Sequence, residues 1–167
     1  GQGRDRSILM FDQQQTGGES LLVTGSSVRL LDFSIYNSPG DGIKVFRSKA
    51  SVLKGLGVEW LRGPAKENGG YGLYPVQCED ILLEDNFVRG ASDAGVYVGQ
   101  SKNITVRRNN VVSNVAGIEI ENSSSVLVYD NKAEYNTAGL LVFNLPDLSM
   151  LGKNIKVYKN VIKNNNT

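Results

Sequence analysis

The sequence predicts an all-β fold, a parallel β-helix of right-handed coils, and three observations predict it. A four-residue motif, Gly-apolar-x-(apolar or Pro), recurs along the 167 residues, and a second apolar series recurs in step with it. No segment of useful length shows the 3.6-residue apolar spacing of an amphipathic helix. Two independent series with one period are not expected by chance. We therefore predict a solenoid of about 6–7 coils with a repeat of about 22 residues.

The first series gives one strand to each coil. Its successive copies start 22, 30, 23, 22 and 22 residues apart, and the first copy has Ser in the Gly place. Because side chains alternate along a strand, the second and fourth positions should point inward and stack between coils. The copies start at Ser20, Gly42, Gly72, Gly95, Gly117 and Gly139. The expected inner ladders are Ile43, Leu73, Val96, Ile118 and Leu140, and then Val45, Pro75, Val98, Ile120 and Val142.

The second series gives another strand and a corner. Its copies start at Val28, Val52, Ile81, Ile104, Val126 and Ile155. Asn follows five residues after each of the last four starts, as Asn86, Asn109, Asn131 and Asn160. Asn tolerates left-handed dihedral angles, and its amide can bond to the Asn one coil away. We expect an asparagine ladder at this corner.

Two coils are longer than the others, by roughly seven residues each. The insertions fall at about 62–70 and 144–154, and we expect loops that flank a shallow groove beside the first strand of the coil. Trp60, at the start of the first insertion, is either a loop anchor or a binding-surface aromatic. No capping helix is evident, so we interpret 1–167 as one β-helix domain from a longer precursor, or one capped by another chain.

Composition excludes several classes of function. Lys and Arg number 18 and Asp and Glu 17, a net charge of +1 that argues against a nucleic-acid partner. No apolar run approaches the roughly 20 residues of a membrane span. The absence of His excludes a histidine base and a histidine metal ligand. Cys78 is the single cysteine, which excludes a disulfide within the chain. We expect Cys78 to be a buried structural thiol. We predict no metal and no cofactor, since no acidic cluster suggests a calcium site.

The outward side of the first strand carries the candidate binding residues. Its central column should be Leu22, Lys44, Tyr74, Tyr97, Glu119 and Leu141, and the next column Phe46, Val76, Gly99, Glu121 and Phe143. Flat tyrosine rings cover the apolar face of a sugar, and charged neighbours bond to hydroxyls. We predict a sugar-binding strip of Lys44, Tyr74, Tyr97 and Glu119, with Asp93 and the first insertion as its rim. Cross-strand packing alone is the alternative explanation for the tyrosines.

The same face offers candidate catalytic residues. They are Asp93, Glu119 and Glu121 as acid or base, with Lys44 or Arg89 as partner. Glu119 and Glu121 lie two apart on one strand, which separates their Cα atoms by about 6.5–7 Å. That spacing permits a carboxylate pair of the kind that glycoside hydrolysis uses. The alternative is that each is an ordinary solvated surface charge.

The segments 71–78 and 89–101 resemble the exported bacterial right-handed parallel β-helix repeat proteins, and 38–45 and 116–123 fit the same family. The resemblance spans nearly the whole chain. It implies a signal or lipoprotein peptide on the precursor, hence a periplasmic or extracellular location, and no particular reaction. More remotely, the chain is similar to carbohydrate-binding and sugar-hydrolase β-helix domains, which include pectin and alginate enzymes. It lacks the clustered aspartates of polygalacturonases and the Asp-Pro-His-Asp motif of alginate epimerases, so no catalytic residue is carried over.

These observations lead to three hypotheses of different classes. The first is an exported, non-catalytic module that binds polysaccharide or serves as a surface scaffold. The second is a polysaccharide lyase, hydrolase or epimerase that works on the same face. The third is self-association, because uncapped coil ends can stack through their edge strands.

Overall fold

The computed structural model describes residues 1–166, and these form 19 strands and no helix. Each strand pairs in parallel with the strand three places later in the chain, so three strands make one coil. The predicted parallel β-helix is therefore confirmed, with six strands in two of its sheets and seven in the third. Within the described part of the chain, no helix is long and apolar enough to cross a membrane.

Three sheets run along the solenoid. Sheet A holds the three-residue strands β1 (Ile8–Met10), β4 (Ser34–Tyr36), β7 (Gly57–Glu59), β10 (Phe87–Arg89), β13 (Asn110–Val112), β16 (Lys132–Glu134) and β19 (Val161–Lys163). Sheet B holds the first series as β2 (Glu19–Val23), β5 (Asp41–Phe46), β8 (Tyr71–Val76), β11 (Ala94–Gly99), β14 (Ala116–Glu121) and β17 (Ala138–Phe143). Sheet C holds the second series as β3 (Arg29–Leu31), β6 (Lys49–Lys54), β9 (Glu79–Glu84), β12 (Lys102–Arg107), β15 (Ser124–Tyr129) and β18 (Lys153–Tyr158).

The predicted inner ladders form the core. In sheet B, Ile43 pairs with Leu73, and Val96 pairs with Leu73 on one side and Ile118 on the other. All four side chains are fully buried. Sheets A and C close the core with ladders of their own, namely Ile35, Val58, Val88 and Val111, and then Ile81, Ile104 and Val126. No single coil could bury these side chains, so each coil depends on its neighbours.

The asparagine ladder is confirmed, but one detail of the prediction is wrong. The side-chain Nδ2 of Asn86 donates to Oδ1 of Asn109 at 2.9 Å, and Nδ2 of Asn109 donates to Oδ1 of Asn131 at 2.9 Å. Each Oδ1 also accepts from a backbone N–H one coil away. The left-handed residue is not the Asn but the residue before it, with positive φ at Asp85, Arg108, Asp130 and Lys159. The Asn side chain is thus free to point inward and satisfy the buried backbone of the corner.

The other two corners use ladders that we did not predict. Asn114, Asn136 and Asn165 repeat the same amide pairing between sheets A and B. Ser101 and Ser123 line the corner between sheets B and C, where Ser123 Oγ accepts from the Ser101 backbone N–H at 3.0 Å. Cys78 occupies the equivalent place one coil earlier and is buried, and burial raises the pKa of its thiol. The prediction of a structural thiol is confirmed.

Two long segments leave the regular coil, at 60–70 and at 144–152. Trp60 is fully buried and its indole N–H donates to the Ser38 carbonyl at 2.7 Å, so it is an anchor and not a surface aromatic. The second segment is held by Asn122, whose Nδ2 donates to the Met150 carbonyl at 2.8 Å. The grooves beside these segments lie at two corners of the coil, with Ser92 and Val115 in one and Gln77 and Gln100 in the other. The outer face of sheet B runs between the two corners.

Both ends of the solenoid leave apolar side chains exposed, and no helix covers them within residues 1–166. At the first coil these are Ile8, Leu9 and Met10. At the last coil they include Val142 and Val157, which continue the inner ladders.

The asparagine ladder makes a prediction for stability. Replacing Asn109 by Ala removes the acceptor of two N–H groups of Asn86 and the donor to Leu83 and Asn131. Because buried polar groups lose their partners, we expect the free energy of unfolding in urea to fall by roughly 2–4 kcal/mol. Asn110→Ala is the matched control, since the Asn110 Oδ1 has no hydrogen-bond partner. An equal loss in both variants would contradict a special role for the ladder.

Candidate functional site

The outer face of sheet B brings the predicted sugar-binding residues into one column. Lys44 pairs with Tyr74, and Tyr97 pairs with Glu119, so these side chains follow one another from coil to coil. Leu22 and Leu141 stand at the two ends of this column. The neighbouring column of Phe46, Val76, Gly99, Glu121 and Phe143 also has the predicted register. The period of the sequence therefore placed both columns correctly.

A third column, which we did not predict, completes this face. It contains Glu19, Asp41, Tyr71, Ala94, Ala116 and Ala138, each the first residue of its strand. The pairing of Tyr71 with Ala94, and of Ala94 with Ala116, puts a large ring next to two small side chains. The sequence contained a signal for this column, because Tyr71 is the one aromatic residue at a position where the next three coils have Ala. We call these three columns together the sheet B face.

Three tyrosine rings pack against one another on the sheet B face. The ring centroids of Tyr71 and Tyr74 are 4.6 Å apart, those of Tyr71 and Tyr97 are 4.7 Å apart, and those of Tyr74 and Tyr97 are 5.0 Å apart. Tyr97 is only 6% exposed, whereas Tyr71 and Tyr74 are half-buried. The Tyr71 and Tyr74 rings therefore pack on a buried Tyr97 ring. We expected Tyr74 and Tyr97 to be the exposed pair, but the two accessible rings are those of Tyr71 and Tyr74. Lys44 Nζ lies 5.2 Å from the centroid of the Tyr74 ring, within cation–π range.

Gly99 explains why the Tyr97 ring lies flat. A Cβ atom at Gly99 would collide with the Tyr97 ring and its hydroxyl, so only glycine leaves room for the ring to fold over its own strand. The ring reaches across to the next coil, where the hydroxyl donates to Oε2 of Glu121 at 2.7 Å. Burial first, then this hydrogen bond and the charge of Glu121, raises the pKa of Tyr97. The hydroxyl therefore remains a proton donor.

Glu119 is the most unusual group on this face. It is 8% exposed and, among the described residues, has no hydrogen-bond or ion-pair partner within bonding distance. Burial, and then the negative charges of Asp93 and Glu121, raises its pKa to about 7. Glu121 is 7% exposed. The alternative that these carboxyls are ordinary solvated charges is wrong, because both are buried at the sheet surface.

Two further carboxyls surround Tyr71. The Oδ1 of Asp41 accepts from the Tyr71 backbone N–H at 3.1 Å, and burial is the main reason why the pKa of Asp41 is raised. Asp93 immediately precedes β11 and lies near enough to Tyr71 to act on its hydroxyl electrostatically. Burial, and then the charge of Asp93, raises the pKa of Tyr71. Tyr71 is therefore held by the backbone bond to Asp41 and by the packing of its ring on Tyr74 and Tyr97.

Arg89 does not belong to this face. It lies on β10 of sheet A, where its Nη2 is 3.3 Å from Oε2 of Glu59. The interpretation of Arg89 as a partner for a base on the sheet B face is therefore wrong, and Lys44 is the basic residue that the register places there. No group of three or more acidic or cysteine side chains in residues 1–166 is arranged to hold a metal ion.

The arrangement combines two kinds of chemistry. Fixed tyrosine rings offer apolar surfaces to a sugar, and carboxylate oxygens accept hydrogen bonds from hydroxyl groups. A carboxyl that titrates near neutrality beside other carboxyls is also typical of an acid–base site.

The raised pKa of Glu119 makes a prediction for pH dependence. Between the usual value of 4.5 and about 7 the folded protein keeps a proton that the unfolded chain releases, so stability falls as pH rises through this window. Replacing Glu119 by Gln should leave stability unchanged near pH 4. Near pH 8 the variant should be more stable than the wild type, by roughly 1–3 kcal/mol in urea unfolding.

Glu79→Gln is the matched control for that measurement. A hydrogen bond from Lys49, and then its charge, lowers the pKa of Glu79, so its replacement should give no gain of stability near pH 8. A Glu119→Gln variant that is no more stable than the wild type near pH 8 would show that Glu119 ionises without cost.

Comparisons with known proteins identify the family. A family model described as a right-handed β-helix region matches residues 19–167. No curated protein matches the chain. Among solved structures, one similar chain is QnrB1 (full length), a plasmid-mediated fluoroquinolone resistance protein; it is 10% identical, with 84% of this chain and 94% of that chain covered. The TM-score is 0.12, which is too low to support any argument about structure or function. The match to nearly the whole chain and the three parallel sheets together show that the chain belongs to the right-handed β-helix family.

Proposed function

We propose that the protein is a polysaccharide-binding module and that its ligand lies along the sheet B face. The observation that carries this proposal is the packing of two half-buried tyrosines, Tyr71 and Tyr74, on the buried ring of Tyr97. Sugars stack on flat aromatic rings, and rings that are already fixed lose little conformational entropy on binding. The proposal includes the location implied by the family resemblance, outside the cytoplasm, where polysaccharides are accessible.

Polar groups around the tyrosines support the same proposal. Glu119 has no partner within the described structure, and Glu121 uses one oxygen to accept from Tyr97. The remaining carboxyl oxygens are acceptors for sugar hydroxyls. Lys44 adds three N–H donors over the face of the Tyr74 ring. A linear polymer that lies across several coils would meet these groups in order.

A second candidate function is acid–base catalysis on the same polysaccharide. The specific observation that favours it is the burial of Glu119 near Asp93 and Glu121, which together raise its pKa to about 7. In this scheme Glu119 donates a proton to a leaving sugar oxygen, and Glu121 or Asp93 acts as base or nucleophile. A lyase or epimerase would instead use one of these carboxylates as base, with Lys44 beside it.

The binding proposal is tested with Tyr71→Ala/Tyr74→Ala, which removes the accessible rings and keeps the buried Tyr97. Affinity for the retaining polysaccharide, measured in gels that contain neutral, acidic or amino polysaccharides, should fall roughly 5- to 150-fold, because stacking contributes about 0.5–1.5 kcal/mol per ring. Circular dichroism should show an unchanged fold.

The matched control is Tyr129→Ala/Tyr158→Ala. These rings stack on sheet C with centroids 5.0 Å apart, so the control removes an equivalent aromatic pair from another face. It should bind like the wild type. Equal loss in both double variants would reject the sheet B face as the binding surface.

The catalytic candidate is tested with the same polysaccharides by following the release of reducing and unsaturated ends. If the wild type releases product, Glu119→Gln/Glu121→Gln should abolish turnover while retention in the gel persists, since the tyrosines remain. A wild type that is retained without any product rejects the catalytic candidate and leaves the binding proposal in place.

A further inference from the structure

We propose that the ligand of the sheet B face is a polysaccharide that carries free, protonated amino groups, and not a polyuronate. This inference rests on the proposed function and names the chemical class of its ligand. It is carried by the balance of charge on this face, by one buried carboxyl without a partner, and by the aromatic rings beside that carboxyl.

The sheet B face and its edge carry far more negative than positive charge. Lys44 is the one basic residue in its three columns, and at the edge the Arg47 guanidinium lies over the Phe46 ring, 4.7 Å from its centroid. The acidic residues are Glu19, Asp41, Asp93, Glu119 and Glu121. Among the described residues none of these five carboxylates has a Lys or Arg nitrogen within 4.0 Å. These five acids therefore form no ion pair, and Lys44, which acts electrostatically on Asp41, is too little positive charge to balance them, although the chain as a whole is close to neutral.

The other partly or fully buried carboxylates of the protein are neutralised. Glu84 is almost fully buried and is paired with Lys54, Arg107 and Arg108. Glu59 is paired with Arg89, and Glu134 with Lys132 and Lys163. Burial alone would raise the pKa of Glu84, but its cationic partners lower it to about 2. The protein thus has the means to balance buried acids, and the sheet B face is the exception.

Glu119 is the acid beside which a cationic group of the ligand would bind. It is more than nine-tenths buried, stands between Tyr97 and Leu141 in its column, and has no partner among the described residues. The carboxyl oxygens of Glu119 remain accessible to a ligand, since they are not among the fully buried polar atoms that lack a partner. A carboxylate without a cationic partner at a largely buried position is unfavourable, whereas an ammonium group supplies both the opposite charge and three N–H donors. Asp93 and Glu121 lie near enough to act on Glu119 electrostatically, so one ammonium group would interact with several acids.

The rings select the rest of the ligand. Lys44 Nζ already lies over the Tyr74 ring, so this surface accommodates an ammonium group beside an aromatic face. A pyranose ring adds an apolar face that stacks on tyrosine. Amino sugars combine both features in one unit. A polyuronate would instead bring carboxylates against five acids, and like charges disfavour such a complex.

The test compares two ligands that differ only at nitrogen, β-1,4-linked glucosamine hexamer and the N-acetylated hexamer of the same linkage. Titration calorimetry of the wild-type protein at pH 7, where the Glu119 carboxyl is about half ionised, should give at least tenfold tighter binding for the amino oligomer. The preference should shrink in 0.5 M NaCl, since it is electrostatic. Polygalacturonate should compete poorly. Because these comparisons use the wild type, they do not depend on the folding of any variant.

Variants then locate the preference. Glu119→Gln/Glu121→Gln should bring the ratio of the two affinities close to one, because the counter-charges are gone. Glu79→Gln, which removes an ion-paired carboxylate from sheet C, should leave the ratio unchanged.

The outcomes separate this inference from the proposed function. The amino-sugar inference is overturned if both hexamers bind with equal affinity, or if the protein prefers the acetylated hexamer or polygalacturonate. The proposed function still holds in that case if the binding depends on Tyr71 and Tyr74. Hexalysine that binds as tightly as the amino oligomer and displaces it overturns the inference in favour of a cationic peptide. If no polysaccharide binds in any of these assays, the proposed function fails and the inference fails with it.

Discussion

The whole structure depends on the in-register parallel pairing of successive coils. Each strand forms backbone hydrogen bonds with the strands one coil before and after it, so equivalent residues stack about 4.8 Å apart along the axis. Apolar residues stack into the inner ladders, and amide side chains stack at the corners. A residue is therefore stabilised or destabilised by its counterparts in the two neighbouring coils. At every position of the repeat, the side chain must therefore pack against, or bond to, the equivalent side chains of the neighbouring coils.

The corners show how this constraint is met with few residue types. A positive-φ residue turns the chain, and the next side chain then points inward and bonds to its counterpart one coil away. Asn serves at two corners because its amide both donates and accepts, so it continues the ladder and also satisfies a buried carbonyl. Ser and Cys78 serve at the third corner, where shorter side chains bond to the backbone.

The outer faces of sheets B and C have the same in-register stacking but differ in how their charged side chains are paired. On sheet C the column Lys54, Glu84, Arg107, Tyr129 and Tyr158 alternates charge and ends in a stacked aromatic pair, with Arg107 bonded to Tyr129. On sheet B, aromatic and acidic residues stack with Lys44 as the one cation in the three columns. Buried acidic groups that lack partners reduce stability, and proteins tend to tolerate such a cost at functional sites. This difference, together with the packed tyrosines, supports our proposal that the ligand binds to the sheet B face.

The sequence by itself determined the period, and with it every feature that depends on register alone. These features are the inner ladders, the two predicted outer columns, the pairing of Asn86 with Asn109, and the burial of Cys78. The second ladder through Asn114 and Asn136 was also accessible, because these residues recur at the same 22-residue spacing.

Only the tertiary structure decided how side chains of unequal size pack sideways across the face. It placed Tyr71 over the small Ala94, folded Tyr97 over Gly99, and thereby buried Glu119 next to Asp93 and Glu121. It also showed that the left-handed residue is the one before each ladder Asn, and that Arg89 lies on sheet A and not on sheet B. The physical reason is that a repeat specifies neighbours along the axis, whereas lateral contacts depend on rotamers, ring orientation and the path of each corner, which the period does not encode.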